Sequence, residues 1–150
     1  MRKIIRALSA AVMIICAVVL VQYILSYRDI SNDLQQAQQS ELMQLQQQNT
    51  RIIGWLSLAG TRLDNPVLQA TDNDFYLMHN YLDEKSRGGS IFTDFRNNVL
   101  QDRHTIFYGH VLRNGTMFGD LAKFSEQSYA ENHPTFYYET TDKKYALQVF

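Results

Sequence analysis

The chain of 150 residues and 17.4 kDa is long enough for one modest folded domain. Its 45% apolar and 19% charged residues exclude an intrinsically disordered tail, and its single cysteine, Cys16, excludes an intrachain disulfide. A formal net charge of −1 gives no reason to expect nucleic acid as a partner. Every glycine and proline lies beyond residue 50, so two segments of different character are joined near Asn49.

The first segment predicts a membrane anchor. An uncharged, mostly apolar run over residues 7–25 follows three basic residues, Arg2, Lys3 and Arg6. A helix over this run spans roughly 28 Å, which is close to the thickness of a bilayer core. The basic residues predict a cytoplasmic N-terminus and an extracellular remainder, in a single-pass protein of the cell membrane. The competing interpretation, a cleaved signal peptide, fits less well because the run is long and lacks a clean cleavage site. Cys16 then lies in the middle of the membrane.

We predict three parts: a cytoplasmic tip and anchor over 1–28, a helical stalk over 29–49, and a folded domain over 50–150. The stalk is rich in glutamine, and Leu34, Ala37, Leu42 and Leu45 recur at roughly helical spacing. A glutamine-rich linker without structure is the alternative. Two heptads are too few to predict a coiled coil.

Short apolar runs separated by turn signals predict a mainly β domain with added helices. The predicted strands cover residues 52–59, 67–69, 90–95, 105–110, 135–140 and 145–150, with a turn at Asn65-Pro66 and helices over 72–81 and 116–129. Asp72 and Asp74 fit helix capping better than calcium binding. Such a pattern favours a small β-barrel. Six strands are few for a closed barrel and the last strand reaches Phe150 without a turn, so we expect an incomplete barrel.

One histidine stands out as a candidate for chemistry. His110 ends the apolar stretch Thr105-Ile-Phe-Tyr-Gly-His110, where a strand fixes its position and a glycine clears space for a general acid or base. A purely structural histidine explains the same pattern. His104 lies about 20 Å away along an extended strand, too far to share one metal ion. No phosphate-binding loop is present either, so no metal or cofactor is predicted.

Several short motifs, in order and spacing, resemble the class B sortases, the membrane-anchored cysteine transpeptidases of Gram-positive bacteria. The resemblance covers about residues 53–150. Its pieces are Gly54-Trp55-Leu56 with Gly60-Thr61, Asn65-Pro66-Val67-Leu68-Gln69, Asp72-Asn73, Tyr76-Leu77, Gly89-Ser90-Ile91-Phe92-Thr93-Asp94-Phe95-Arg96-Asn97-Asn98, Tyr108-Gly109-His110, Met117-Phe118 and the strand over residues 145–150.

The resemblance implies an eight-stranded barrel and a two-step transfer. A cysteine thiolate attacks a backbone carbonyl in a C-terminal sorting motif of a secreted protein, and an amine of a peptidoglycan cross-bridge or a pilin lysine then releases the acyl-enzyme. The family's acid–base histidine maps onto His110. Residues that line the family's substrate cleft map near Asn73, Leu77 and Tyr108.

The chain departs from the family pattern at two positions. The family nucleophile lies in a Thr-x-Thr-Cys-like strand end and an arginine follows on the next strand, and neither position has a counterpart here. Arg96, Arg103 and Arg113 do not match that arginine. We therefore expect the N-terminal portion of a class B sortase that is inactive and poorly stable by itself, with a long apolar sheet edge exposed.

Three alternatives remain open at this point. The first is a non-catalytic relic or module that binds sorting signals. The second is the ectodomain of a single-pass sensor, although few residues precede the apolar run to form a cytoplasmic signalling segment. The third is half of a split enzyme that a second polypeptide completes.

Overall fold

The computed structural model describes residues 2–150, and within its first helix it describes the side chains of residues 12–26, 28 and 39–48. The chain divides into two units, Met1–Gln38 and Gln39–Phe150. Helix α1 (Arg2–Gln48) forms the first unit and continues into the second. Residues 7–11 of the predicted anchor lie outside the described side chains. Among the residues that are described, no helix is long and apolar enough to cross a bilayer.

The second unit contains a six-stranded sheet with added helices. Its elements are β1 (Ile52–Leu58), β2 (Asp64–Leu68), a 3₁₀ turn (Phe75–Leu77), β3 (Ile91–Thr93), β4 (Phe107–Tyr108), a 3₁₀ helix (Gly119–Ser125), α2 (Gln127–Asn132), β5 (Thr135–Glu139) and β6 (Lys144–Gln148). The strand order is β4-β3-β2-β1-β5-β6. Only the β2–β3 pair is parallel, because the long crossover that carries the 3₁₀ turn connects these two strands. The prediction of a mainly β domain with added helices is confirmed.

Apolar side chains are buried on both faces of the sheet. One face carries the Tyr138 cluster, made of Leu56, Leu58, Leu63, Val67, Ile91 and Tyr138. The other face carries the Tyr76 cluster, made of Leu42, Ile52, Leu68, Tyr76 and Phe92. Successive residues of β2 and β3 alternate between the two clusters, as the pleat of a strand requires. Leu42 shows that the end of α1 belongs to the domain core.

Two predicted helices are wrong in type and length. Of residues 72–81, only Phe75–Leu77 is helical. The reason is that the N–H of Ser90 donates to the Tyr76 carbonyl (2.9 Å) and the His110 ring is hydrogen-bonded to the Leu77 carbonyl. Those carbonyls are therefore not free for the next helical turn. Residues 116–129 divide into a 3₁₀ helix and the start of α2, since Glu126 is extended at φ −94° and ψ 121°.

The strand predictions differ from the structure mainly in their limits. The predicted turn at Asn65-Pro66 is wrong, because Pro66 lies inside β2, opposite Trp55 of β1. Within β2, only Val67 and Leu68 pair with β3. Proline has no N–H to donate, but Pro66 is not paired with β3, so no hydrogen bond to that strand is lost. β4 is shorter than predicted, and His110 lies two residues beyond its end. The Asp72 carboxylate accepts from the N–H groups of Asp74 (2.9 Å) and Phe75 (2.8 Å) at the start of the 3₁₀ turn, as its predicted capping role requires. Asp74 stands at the N-cap position, but its side chain makes no capping bond, so the same prediction for Asp74 is wrong.

Candidate functional site

His110 lies half-buried beyond β4, with its imidazole bonded to the 3₁₀ turn. Its Nε2 is 2.7 Å from the carbonyl oxygen of Leu77. A carbonyl only accepts a hydrogen bond, so Nε2 carries the proton and Nδ1 of the neutral ring is left as an acceptor. The N–H of Phe118 donates to the carbonyl of His110 over 3.0 Å. The histidine is therefore held by both its ring and its backbone, with one ring nitrogen available for proton transfer.

Glycine at two positions permits this arrangement. Gly89 is buried with φ +59°, and a Cβ there would lie 2.6 Å from the Tyr76 carbonyl oxygen and 3.1 Å from Cδ2 of His110. The sequence predicts that Gly109 clears space beside the histidine. The space is filled by Phe118 and Ile91, whose side chains would lie 3.0 Å and 3.3 Å from a Cβ at that position. Gly109 thus allows close packing rather than an open cleft.

Asn73 and Tyr108 meet at one carboxylate that the sequence did not single out. Asn73 Nδ2 donates to Oδ2 of Asp94 over 3.0 Å, and the Tyr108 hydroxyl donates to the same oxygen over 3.2 Å. Asn73 Oδ1 also accepts from the N–H of Phe95 (3.0 Å). Asp94 itself is 1% exposed. Both predicted cleft residues are therefore oriented by a single buried anion.

Arg96 completes the environment of Asp94. Its Nε lies 2.8 Å from Oδ1, its Nη2 lies 2.7 Å from Oδ2, and its backbone N–H donates to Oδ1 over 2.9 Å. These bonds lower the pKa of Asp94 well below the usual carboxyl range, so the group is ionised at neutral pH. Burial and the Asp94 carboxylate raise the pKa of Tyr108, which keeps its hydroxyl protonated.

Leu77 contributes its main-chain carbonyl to the site, whereas Asn73, Tyr108 and His110 contribute their side chains. Its carbonyl bonds His110, while its half-buried side chain packs against the Tyr76 cluster. The four predicted site residues thus form two hydrogen-bonded groups, His110 with the Leu77 carbonyl and Asn73 with Tyr108 through Asp94. The sequence predicts no role for Gly89 and Asp94, which stand within longer motifs, and indicates for Arg96 only that it does not match the family's arginine. An Asp-x-Arg pair directly after a buried strand is the signal that could have indicated an ion pair there.

The comparisons with known proteins identify the family. No protein-family model matches the chain. Sortase B of Listeria monocytogenes is 47% identical over 111 residues, which cover 73% of this chain and 45% of that protein. Sortase B of Staphylococcus aureus is 43% identical over 107 residues, which cover 71% of this chain and 44% of that protein.

The chain belongs to the class B sortases. It corresponds to the N-terminal portion of the family and spans less than half the length of these two relatives. The solved structure of a Staphylococcus aureus sortase B–substrate complex matches with a TM-score of 0.69 and 40% identity, over 75% of this chain and 52% of that one. The resemblance noted in the motifs is therefore confirmed, while the roles of His110, Asn73, Leu77 and Tyr108 stay predictions.

Proposed function

We propose that this chain supplies the acid–base histidine and one wall of the substrate cleft of a sortase-type transpeptidase. The observation that carries the proposal is the bond from His110 Nε2 to the Leu77 carbonyl, which leaves Nδ1 as the ring nitrogen that can exchange a proton. The family relationship supports it, since relatives at 43% to 47% identity are sortases.

In the proposed reaction a cysteine thiolate attacks the backbone carbonyl of a sorting motif in a secreted protein and forms an acyl-enzyme. His110 takes up at Nδ1 the proton that the cysteine thiol releases, and as an imidazolium it gives that proton to the amine that leaves. It then takes the proton from the incoming amine of a peptidoglycan cross-bridge or a pilin lysine, which attacks the thioester and releases the cysteine. Asn73, Leu77 and Tyr108 line the cleft that holds the sorting signal in an extended conformation.

We propose further that these 150 residues do not cleave a sorting signal by themselves. Their only cysteine, Cys16, lies on α1 inside the segment assigned to the membrane, so no thiolate is available to an extracellular substrate. A module that binds sorting signals without cleaving them is the second candidate, and this lack of an available thiolate is the observation that favours it.

The test compares two preparations with a fluorescent peptide carrying the sorting signal recognised by Staphylococcus aureus sortase B. One is the 150-residue chain, and the other is the native protein isolated from membranes, with its intact mass measured. The chain should bind the peptide without cleaving it. A native mass above 17.4 kDa together with peptide cleavage supports the transpeptidase. A native mass of that value with binding alone supports the binding module.

Replacing the histidine tests its role in the native protein. His110→Ala should reduce transpeptidation by a factor of at least about 10² while the melting temperature changes little. His104→Ala is the matched control, because that side chain is exposed and lies outside the site. Turnover of His110→Ala close to that of the wild type would remove His110 from the mechanism.

We also propose that residues 7–25 anchor the protein in the cell membrane, with the N-terminus in the cytoplasm and the folded domain outside. The three basic residues before the run support this orientation, and the apolar side chains between Val12 and Leu25 are exposed on α1. The protein should resist alkaline carbonate extraction, and external protease should digest its domain on intact cells stripped of their wall. Release by carbonate would contradict the anchor.

A further inference from the structure

The Asp94 carboxylate accepts five hydrogen bonds while being almost completely buried. Three donors reach Oδ2, from Arg96, Asn73 and Tyr108, and two reach Oδ1, both from Arg96. The guanidinium that balances its charge is largely exposed, with 69% of the Arg96 side chain accessible. The anion therefore joins Asn73 and Tyr108 to a largely solvated cation.

An ionised carboxylate only accepts hydrogen bonds, so it dictates the direction of every bond made to it. The Tyr108 hydroxyl donates its one hydrogen to Asp94. Toward any other partner, the Tyr108 oxygen can therefore only accept a hydrogen bond. The Asn73 side chain donates one amide N–H to Asp94, and its Oδ1 accepts from the N–H of Phe95. Its second amide N–H is left as a donor. The pair thus presents one fixed acceptor and one fixed donor side by side.

We propose that Asp94 is a positioning residue that sets these directions, so that Tyr108 accepts from a main-chain N–H and Asn73 donates to a main-chain carbonyl of an extended peptide. An extended backbone offers N–H and C=O groups in alternation, which complements such a pair. This inference rests on the proposed function, because it names the peptide main chain as the group that the same cleft recognises.

Asp94→Asn tests the proposal in the 150-residue chain. The new amide can donate to the Tyr108 hydroxyl and so reverse the bond direction without changing the shape of the side chain. We expect the pKa of Tyr108 to fall, measured by ultraviolet titration against Tyr108→Phe, and the NMR signals of the Asn73 side-chain amide to shift. Binding of the fluorescent sorting-signal peptide should weaken about tenfold, as expected for loss of a charged hydrogen-bond partner.

Asp102→Asn is the matched control. Asp102 lies in the same loop between β3 and β4 and accepts from Asn97 Nδ2 (3.0 Å) and from the N–H of Asn98 (2.8 Å), so it orders the loop without touching Asn73 or Tyr108. Its replacement should leave both spectroscopic signals and peptide binding within about twofold of the wild type. Should Asp94→Asn fail to fold, Tyr108→Phe removes the same acceptor and must weaken the peptide by a similar factor.

The outcomes separate this inference from the proposed function. The inference is overturned if Asp94→Asn leaves the Tyr108 titration unchanged, or if the titration shifts while peptide binding does not. If the wild-type chain binds no peptide, the sorting-signal proposal fails for this chain. The titration and the amide signals then decide whether Asp94 orients the pair. A loss of affinity equal in Asp94→Asn and Asp102→Asn would assign the effect to loop order and also overturn the inference.

Discussion

The two ends of the six-stranded sheet are stabilised in different ways. At the β4 end, polar side chains bond to the main chain of neighbouring loops, as when Gln69 Nε2 donates to the carbonyls of Asp94 (2.9 Å) and Asn97 (2.7 Å). At the β6 end, the strand is mostly exposed, and its side chains make an ion pair from Lys144 to Glu139 and a bond from Gln148 to Thr135. The β4 end of the sheet is therefore ordered by contacts within the chain itself, whereas β6 contributes little to the core.

The largest expected effect tests this difference with one substitution at two leucines. Leu68 is fully buried in the Tyr76 cluster, and Leu147 of β6 is 37% exposed. Leu68→Ala should reduce the free energy of unfolding by about 3 kcal/mol, and Leu147→Ala by less than about 1 kcal/mol, because only the first leaves a cavity. Urea unfolding followed by circular dichroism measures both values. Equal losses would show that β6 packs against more of the protein than the sheet edge indicates.

A smaller effect is expected at the glycine beside His110. Gly89→Ala forces a side chain into left-handed backbone at φ +59° and against two carbonyl oxygens, so it should cost about 2 kcal/mol and displace the imidazole. Gly88→Ala is the control, since the nearest atoms to its Cβ would be 3.7 Å away. Thermal unfolding and the NMR signals of the His110 ring give the two readouts. If both variants unfold at the same temperature and show the same His110 signals, position 89 does not require glycine.

The smallest effect concerns alkaline pH and the Tyr138 cluster. Burial raises the pKa of Tyr138 from 10.0 to about 12, so its neutral form stabilises the fold fully below pH 10. That stability is lost as the pH rises toward 12, by about 1 kcal/mol at pH 11. Tyr138→Phe should flatten this decline, although it also removes the 3.3 Å hydrogen bond to the Ile53 carbonyl. An unchanged slope between pH 10 and 12 would assign the decline to other groups.

Local patterns in the sequence are sufficient to predict the class of the domain and its family. Alternating and continuous apolar runs predicted all six strands, because side-chain burial on a sheet follows a period that can be read locally. His110 could be singled out because a histidine after an apolar strand and a glycine is an unusual combination. The motif resemblance then agreed with relatives at 43% to 47% identity.

The arrangement of the site depends on contacts between residues that are far apart in the sequence. The helix predicted over residues 72–81 is reduced to one turn, because His110 and Ser90 make hydrogen bonds to the carbonyls that the next helical turn would need. Both residues are distant from this segment in the sequence. Asp94 orients both Asn73 and Tyr108, which donate to its carboxylate from separate parts of the chain. Local periodicity carries no information about such bonds, since they join residues that only the folded chain brings within 3 Å or so of one another.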